Sequence, residues 1–208
     1  MNAALAIERI ARWATAAKLD FRHDRAGGHG AVFSRCGRYR YLLWRDAGPG
    51  CELLGIAMLN PSKADHLHND PTIARCHSRA LEEGASLLVW NLFALRETDP
   101  LKLKKRRGPV GGRNDEATRL ALEIAPRTIA AWGVHGAHRG RADQVARLAQ
   151  ESGYALMCLG VTKEGHPRHP LYLKKGTPMQ GWPLQPISEP PSDTSTVPVA
   201  LAAMSESR

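Results

Sequence analysis

Four short stretches of the 208-residue chain carry side chains that can do chemistry. In Leu59-Asn60-Pro61-Ser62 the proline biases Asn60 toward extended backbone, and an amide held that way can orient a water or read a polar ligand edge. The competing use is an Asx turn. In Leu88-Val89-Trp90-Asn91-Leu92-Phe93 an apolar run ends on Asn91, whose carboxamide can make the paired donor and acceptor bonds that a nucleobase edge demands. Loop backbone can equally satisfy it, and Phe93 can stack on a base or belong to the core. Trp132-Gly133-x-x-Gly136, followed by His138, Arg139, Gly140 and Arg141, reads as a loop that exposes main-chain N–H groups to phosphate beside positive charge. Last, Gly165-His166-Pro167-Arg168-His169-Pro170 is a stiff proline loop. It can present His166 to negative charge developing on a leaving group and Arg168 to phosphate.

Periodicity supplies the elements that must position these residues. Apolar spacing over residues 1–18 predicts a helix, and Gly27, Gly28 and Gly30 a loop. Residues 31–45 read as one or two strands in which Tyr39, Tyr41 and Leu43 alternate against Arg38, Arg40 and Leu42, and with a turn at Gly48-Pro49-Gly50 the stretch up to Leu59 reads as a hairpin entering the main sheet. Apolar strands are expected at 53–59, 85–90, 128–132 and 154–159. Between them helices are expected at 71–83, with Asp70 as cap and Pro71 in its first turn, at 114–124 and at 142–151. Near-continuous apolar strands alternating with helices predict a three-layer α/β/α fold on a mainly parallel four-stranded sheet. In such sheets the ligand crevice lies outside the carboxyl ends of the strands, which would gather Asn60, Asn91, Gly133 and His166 on one side. The division expected is an N-terminal helix and loop over 1–30, an α/β domain over 31–182 and a disordered tail rich in proline and serine over 183–208.

Composition narrows the partners. Twenty-nine Lys and Arg against 20 Asp and Glu give a net charge of +9, which suits a polyanion, above all nucleic acid. No apolar run reaches the roughly 18 to 20 residues of a membrane span, and Glu8, Arg9 and Arg12 interrupt any export signal, so a cytoplasmic protein is expected. The four cysteines are scattered and expected to be reduced. Two histidine groupings, His66, His68, Cys76 and His77, then His166 and His169, are the places a metal would bind. Surface loops explain them as well, and no metal or cofactor is assigned.

In their order along the chain, Met58-Leu59-Asn60-Pro61, Val89-Trp90-Asn91, Ala131-Trp132-Gly133 and His166-Pro167-Arg168 resemble the motifs of the uracil-DNA glycosylase superfamily. The chain also resembles a bacterial and phage family known as domain of unknown function 1643. That resemblance rests on Met58-Leu59-Asn60-Pro61-Ser62-x-Ala64-Asp65, Asp70-Pro71-Thr72-Ile73, Asn91-Leu92-Phe93-Ala94, Thr98-Asp99-Pro100 and His166-Pro167-Arg168-His169-Pro170-Leu171. The first resemblance implies a hydrolase that cleaves the N-glycosidic bond of a base, flipped out of a duplex where the target is paired. Asn60 and His166 would be its catalytic residues. Pro61, Ser62, Asn91, Phe93 and Gly133 would bind substrate, and Arg139, Arg141 and Arg168 would hold phosphate. Departures matter here: Asn60 stands where the uracil-specific motif has Asp, and His169 is an insertion, so a damaged or modified base is at least as good a target as uracil. Asp65, Asp70 and His169 are secondary candidates. The expected partner is nucleic acid, DNA ahead of RNA, bound by a monomer. The alternatives are a non-catalytic DNA- or RNA-binding protein and an enzyme acting on free modified nucleotides.

Overall fold

The structure, a computed structural model, describes residues 1–182; the tail expected over 183–208 lies outside the described residues. Helix α1 (Ala3–Ala16) leads into strands β1 (Asp20–His23), β2 (His29–Phe33), β3 (Arg40–Arg45) and β4 (Leu53–Met58). Next come α2 (Pro71–Glu82), β5 (Ser86–Asn91), α3 (Pro100–Lys105), α4 (Asn114–Ile124), β6 (Thr128–Ala130), α5 (Arg141–Glu151), β7 (Leu156–Cys158) and β8 (Gln180–Gly181). The strands form one sheet in the order β1-β2-β3-β5-β4-β6-β7-β8.

This corrects the expected fold. The sheet is mixed and eight-stranded, and four of the seven pairings among the described residues are antiparallel. The four apolar strands of the sequence pattern are its centre, where β5, β4, β6 and β7 run parallel. The additions are the antiparallel β2 and β3 and the edge strands β1 and β8; the hairpin expected through the Gly48-Pro49-Gly50 turn does not form, because β5 inserts between β3 and β4. Both edges are short and polar, Asp20-Phe21-Arg22-His23 and Gln180-Gly181, so no apolar run announces them. The stretch expected to be only helix and loop thus also supplies β1.

Helices cover both faces. α2 packs Ile73, Cys76 and Ala80 against Leu54, Ile56, Leu87 and Val89. α1, α4 and α5 pack on the opposite face around Leu42, Trp44, Leu88 and Trp90. Asp70 caps α2 by accepting from the Ile73 N–H at 2.9 Å, with Pro71 in the first turn, as its sequence implies. Gly55 in β4 is required by the neighbouring strand, because a Cβ there would collide with Thr128 Oγ1 of β6.

Two features of this topology position the site. The connection from β4 to β5 runs over the α2 face and that from β6 to β7 over the α5 face, so the chain changes direction between the adjacent β4 and β6. A crevice is expected outside the carboxyl ends of such strands. Second, β3 carries a bulge: Phe33 pairs with Arg40 and Val32 with Leu42, leaving Tyr41 as the extra residue. Tyr41 and Leu42 both join the α1 and α4 side, so the regular alternation of the sequence pattern is broken there.

Candidate functional site

A cleft of about 660 Å³ opens at the carboxyl ends of β4, β5 and β6, closed on one side by the loop after β7. Met58, Leu59 and Asn60 reach it from β4, Asn91 from β5, and Trp132, Gly133, Val134 and His135 from β6. Thr162, Arg168, His169, Leu171 and Tyr172 come from the last loop. Because β3 runs antiparallel to β5, its first residue, Arg40, arrives at the same edge.

Asn91 forms part of the floor. Its backbone is held twice: β5 registers it against Met58, and its carbonyl accepts from Asn114 Nδ2 at 2.9 Å. The residue is 2% exposed, yet its carboxamide makes no hydrogen bond among the described residues and faces the cleft. Both polar atoms of the carboxamide therefore stay open to whatever fills the cleft. Asn60 is arranged oppositely. Its Nδ2 donates to Pro61 O at 3.0 Å and to Glu97 O at 2.6 Å, and the Glu97 N–H returns a bond to Pro61 O at 2.9 Å. Asn60 thus clamps the loop after β4 to the loop after β5, and only its Oδ1 remains to meet a ligand or water. Ser62 lines the cleft, while Pro61 is buried beneath it.

The last loop presents a different histidine from the one its sequence suggests. His166 is absent from the cleft wall; its backbone N–H donates to Thr162 Oγ1 at 3.3 Å and its carbonyl accepts from the Thr162 N–H at 2.8 Å, tying the turn. His169 lines the cleft, and its Nδ1 accepts from the Leu171 N–H at 3.3 Å. Burial lowers its pKa against the opposing pull of Asp70, so the ring is neutral at pH 7. With Nδ1 accepting, the proton sits on Nε2, a donor with no partner among the described residues.

Two carboxylates border the same space. Asp70 accepts from Ile73 N–H and, at 3.3 Å, from Ala64 N–H. Glu97 is held below the usual carboxylate range by its bond to the Arg106 guanidinium, 3.0 Å away. Asp65 does not reach the cleft. Burial works against its charge, but N–H groups of His68 and Leu67 hold it at about 2, which marks a turn-forming carboxylate.

Among the remaining candidates, Gly133 lines the cleft at φ 66°, a left-handed conformation suited to glycine, and donates its N–H to Pro167 O at 2.9 Å. Phe93 is fully buried against His138 and is core. Arg139 is exposed away from the cleft. Arg141 is 3% exposed, bonded to Leu92 O at 2.9 Å and paired with Asp115, so it is a structural cross-link between α5, α4 and β5 and is spent for phosphate. Arg168 is exposed at the cleft and forms no ion pair among the described residues.

The residue that sequence reasoning missed is Arg40, 2% exposed within the cleft. Its only side-chain hydrogen bond runs from Nη1 to Ala64 O at 2.8 Å, and it has no salt bridge among the described residues. Burial pushes its pKa down to about 10; Asp70 and Asp65 favour the charge, and Arg96 and Arg45 oppose it. The available signal was a charge inside the buried run Arg40-Tyr41-Leu42-Leu43-Trp44.

Fold and cleft together define an α/β protein with a polar cleft at its strand ends. The chain matches, over residues 40–171, a family described as a protein of unknown function (DUF1643), and it belongs to that family. The matched stretch takes in every cleft residue except Tyr172. No curated protein and no solved structure matches the chain. No helix among the described residues is long and apolar enough to cross a membrane, and no three His, Cys, Asp or Glu side chains there group as metal ligands would.

Proposed function

We propose that the chain is a hydrolase that cleaves the N-glycosidic bond of a damaged or modified base. The observation that carries this reading is Asn91, a carboxamide fixed at the cleft floor with both its donor and its acceptor unclaimed by the protein. That is the requirement for reading a base edge. The order of the four strand-end motifs, which resembles the uracil-DNA glycosylase superfamily, supports the same chemistry. In the proposed reaction the C–N bond breaks with its electron pair leaving on the base, a water oxygen bonds to the anomeric carbon, and the proton shed by that water ends on the base. His169 Nε2–H donates to the negative charge developing on the departing base, the role that the sequence pattern gave to His166. Asn60 Oδ1 accepts from the attacking water. The carboxyl groups of Asp70 and Glu97 border the space where positive charge builds on the sugar, the placement that carboxylates have in glycoside hydrolysis generally.

The net charge of +9 and the exposed Arg139 and Arg168 favour nucleic acid as the carrier of the base, DNA ahead of RNA. The test is to incubate the full chain with oligonucleotides bearing a panel of modified bases, and with the corresponding free nucleotides, and to assay released base and alkali-labile breaks. Base release abolished by Asn91→Ala and His169→Ala supports the reading. Tight binding with no release from any member of either set would refute it and leave a non-catalytic binding protein.

A further inference from the structure

Three arginines of this fold are almost wholly buried, and two of them are saturated. Arg45, fully buried, donates to Asn69 Oδ1 at 2.8 Å and to the carbonyls of Trp44, Asp65 and His68 at 2.8, 2.7 and 3.4 Å. Arg141 is bonded to Leu92 O and Gln144 and paired with Asp115. Arg40 has one carbonyl for its five N–H donors. A guanidinium taken from water without a salt bridge is costly to bury, and a bound anion offsets that cost. Arg40 alone of the three lines the cleft.

We infer that Arg40 is the floor of an anion subsite, and that the ligand of this cleft carries a phosphate which enters the cleft and is bound there by Arg40, with Arg168 closing on it from the last loop. The bulge at Tyr41 builds this subsite, because without the extra residue Arg40 would not share the face of Phe33 and the loop that holds Ala64. Arg168 has no competing ion pair among the described residues, and Gly160 lies beside its Cδ, where an added Cβ would sit 3.8 Å away. The carboxylate of Asp70 favours the charge on Arg40 from a distance, but it makes no hydrogen bond or salt bridge to the guanidinium and is turned to the Ile73 and Ala64 N–H groups. His169 Nε2–H adds a neutral donor in the same space. A cleft of about 660 Å³ has room for a base on Asn91 and a phosphate on Arg40 together.

This inference rests on the proposed base-reading role of Asn91 only for the other half of the ligand. The phosphate has two possible sources, a free nucleotide or the backbone of a nucleic acid. The experiment titrates the full chain by calorimetry with inorganic phosphate, 2′-deoxyuridine, 2′-deoxyuridine 5′-monophosphate and a short single-stranded oligonucleotide, comparing wild type with Arg40→Met, Arg40→Lys and Asn91→Ala. The monophosphate should bind wild type at least about tenfold more tightly than the nucleoside, the size of one charge-assisted contact. That gap should vanish in Arg40→Met, survive in part in Arg40→Lys and persist in Asn91→Ala. If Arg40→Met does not fold, inorganic phosphate should still raise the melting temperature of wild type more than that of Arg40→Lys. Whichever of monophosphate and oligonucleotide loses affinity in the Arg40 variants identifies the source, and loss in either supports the subsite. Equal binding of nucleoside and monophosphate by wild type, or an undiminished gap in Arg40→Met, would overturn it. Unchanged affinity of Asn91→Ala for 2′-deoxyuridine would refute the base-reading role and leave the subsite standing.

Discussion

Asn91 and Asn114 lie next to one another, both buried, and their replacement by leucine should have opposite consequences. Asn114, 1% exposed, donates through Nδ2 to Asn91 O and Leu92 O, each at 2.9 Å. Leucine there removes two hydrogen bonds, takes the side-chain donor from Asn91 O and leaves Leu92 O to Arg141 alone. At about 1 kcal/mol per bond, with a further cost for the weakened solvation of the two acceptors, the loss should be about 2–4 kcal/mol. Asn91 has no side-chain bond to lose, and its carboxamide is held at a buried position without protein partners, so a leucine of similar size should leave stability within about 1 kcal/mol of wild type, on the stabilising side. Urea unfolding at pH 7, followed by tryptophan fluorescence with the slope shown to be unchanged, measures both. The Asn91→Leu variant should nonetheless lose base-dependent binding. If Asn91→Leu destabilises the fold as much as Asn114→Leu, then Asn91 is structurally engaged and the base-reading role is refuted.

Arg141→Ala should cost about 1–3 kcal/mol by urea unfolding, because it removes a buried side chain and its bonds to Leu92 O and Asp115, while oligonucleotide affinity falls far less than in Arg168→Ala. In single-turnover assays His169→Ala should slow base release about 100-fold or more, and His166→Ala should change it little; the reverse order would return the role to His166. Burial lowers the pKa of His77, His135, His138 and His169. The unfolded chain therefore binds more protons than the folded one as pH falls through the ordinary histidine value of 6.5, and stability should drop between about pH 7 and 5, as pH-dependent melting would register.

The central strands were legible because each is an apolar run of strand length closed by Asn, Pro or Gly, and burial on both faces leaves no other way to read it. What lay outside that signal was lost with it. β1 and β8 are edges held mainly by backbone pairing, and a single apolar residue, Phe21 stacked on Trp44, sets no alternation by which Asp20-Phe21-Arg22-His23 could be told from a loop. The bulge in β3 hid Arg40: period-two alternation sets Tyr41 opposite Leu42, whereas both pack on one face and Arg40 turns to the other. In the last loop the sequence offered two histidines separated by three positions and two prolines, and no periodicity applies to such a turn. The choice is made by tertiary bonds, with Thr162 holding the backbone of His166 and the Pro170–Tyr172 turn starting on His169 Nδ1. Asn60, Asn91 and Gly133 were found because a strand end fixes a residue's position before its side chain has any partner.

The same circumstance explains how this cleft tolerates groups that would be costly elsewhere. Asn91 is located by β5 and by Asn114, Arg40 by the bond from its own N–H to Ala94 O at 2.9 Å, and Gly133 by its N–H on Pro167 O. In each case main-chain bonds set the geometry, leaving a side chain or an open backbone face uncommitted. Asn60 shows the other solution, spending its amide to clamp two loops and keeping one oxygen. A ligand entering such a site meets donors and acceptors already in position, and so loses little free energy to ordering them. The corresponding cost falls on folding, where an unpaired carboxamide and an unpaired guanidinium must be held by a core that includes Trp44, Trp90 and Trp132. Sites of this kind are therefore expected at the ends of the most deeply buried strands, where sheet register and both packed faces fix the backbone. In this sheet those are β3, β4 and β5, whose six residues each are all buried, and Arg40 opens β3 at the edge where β4 and β5 end.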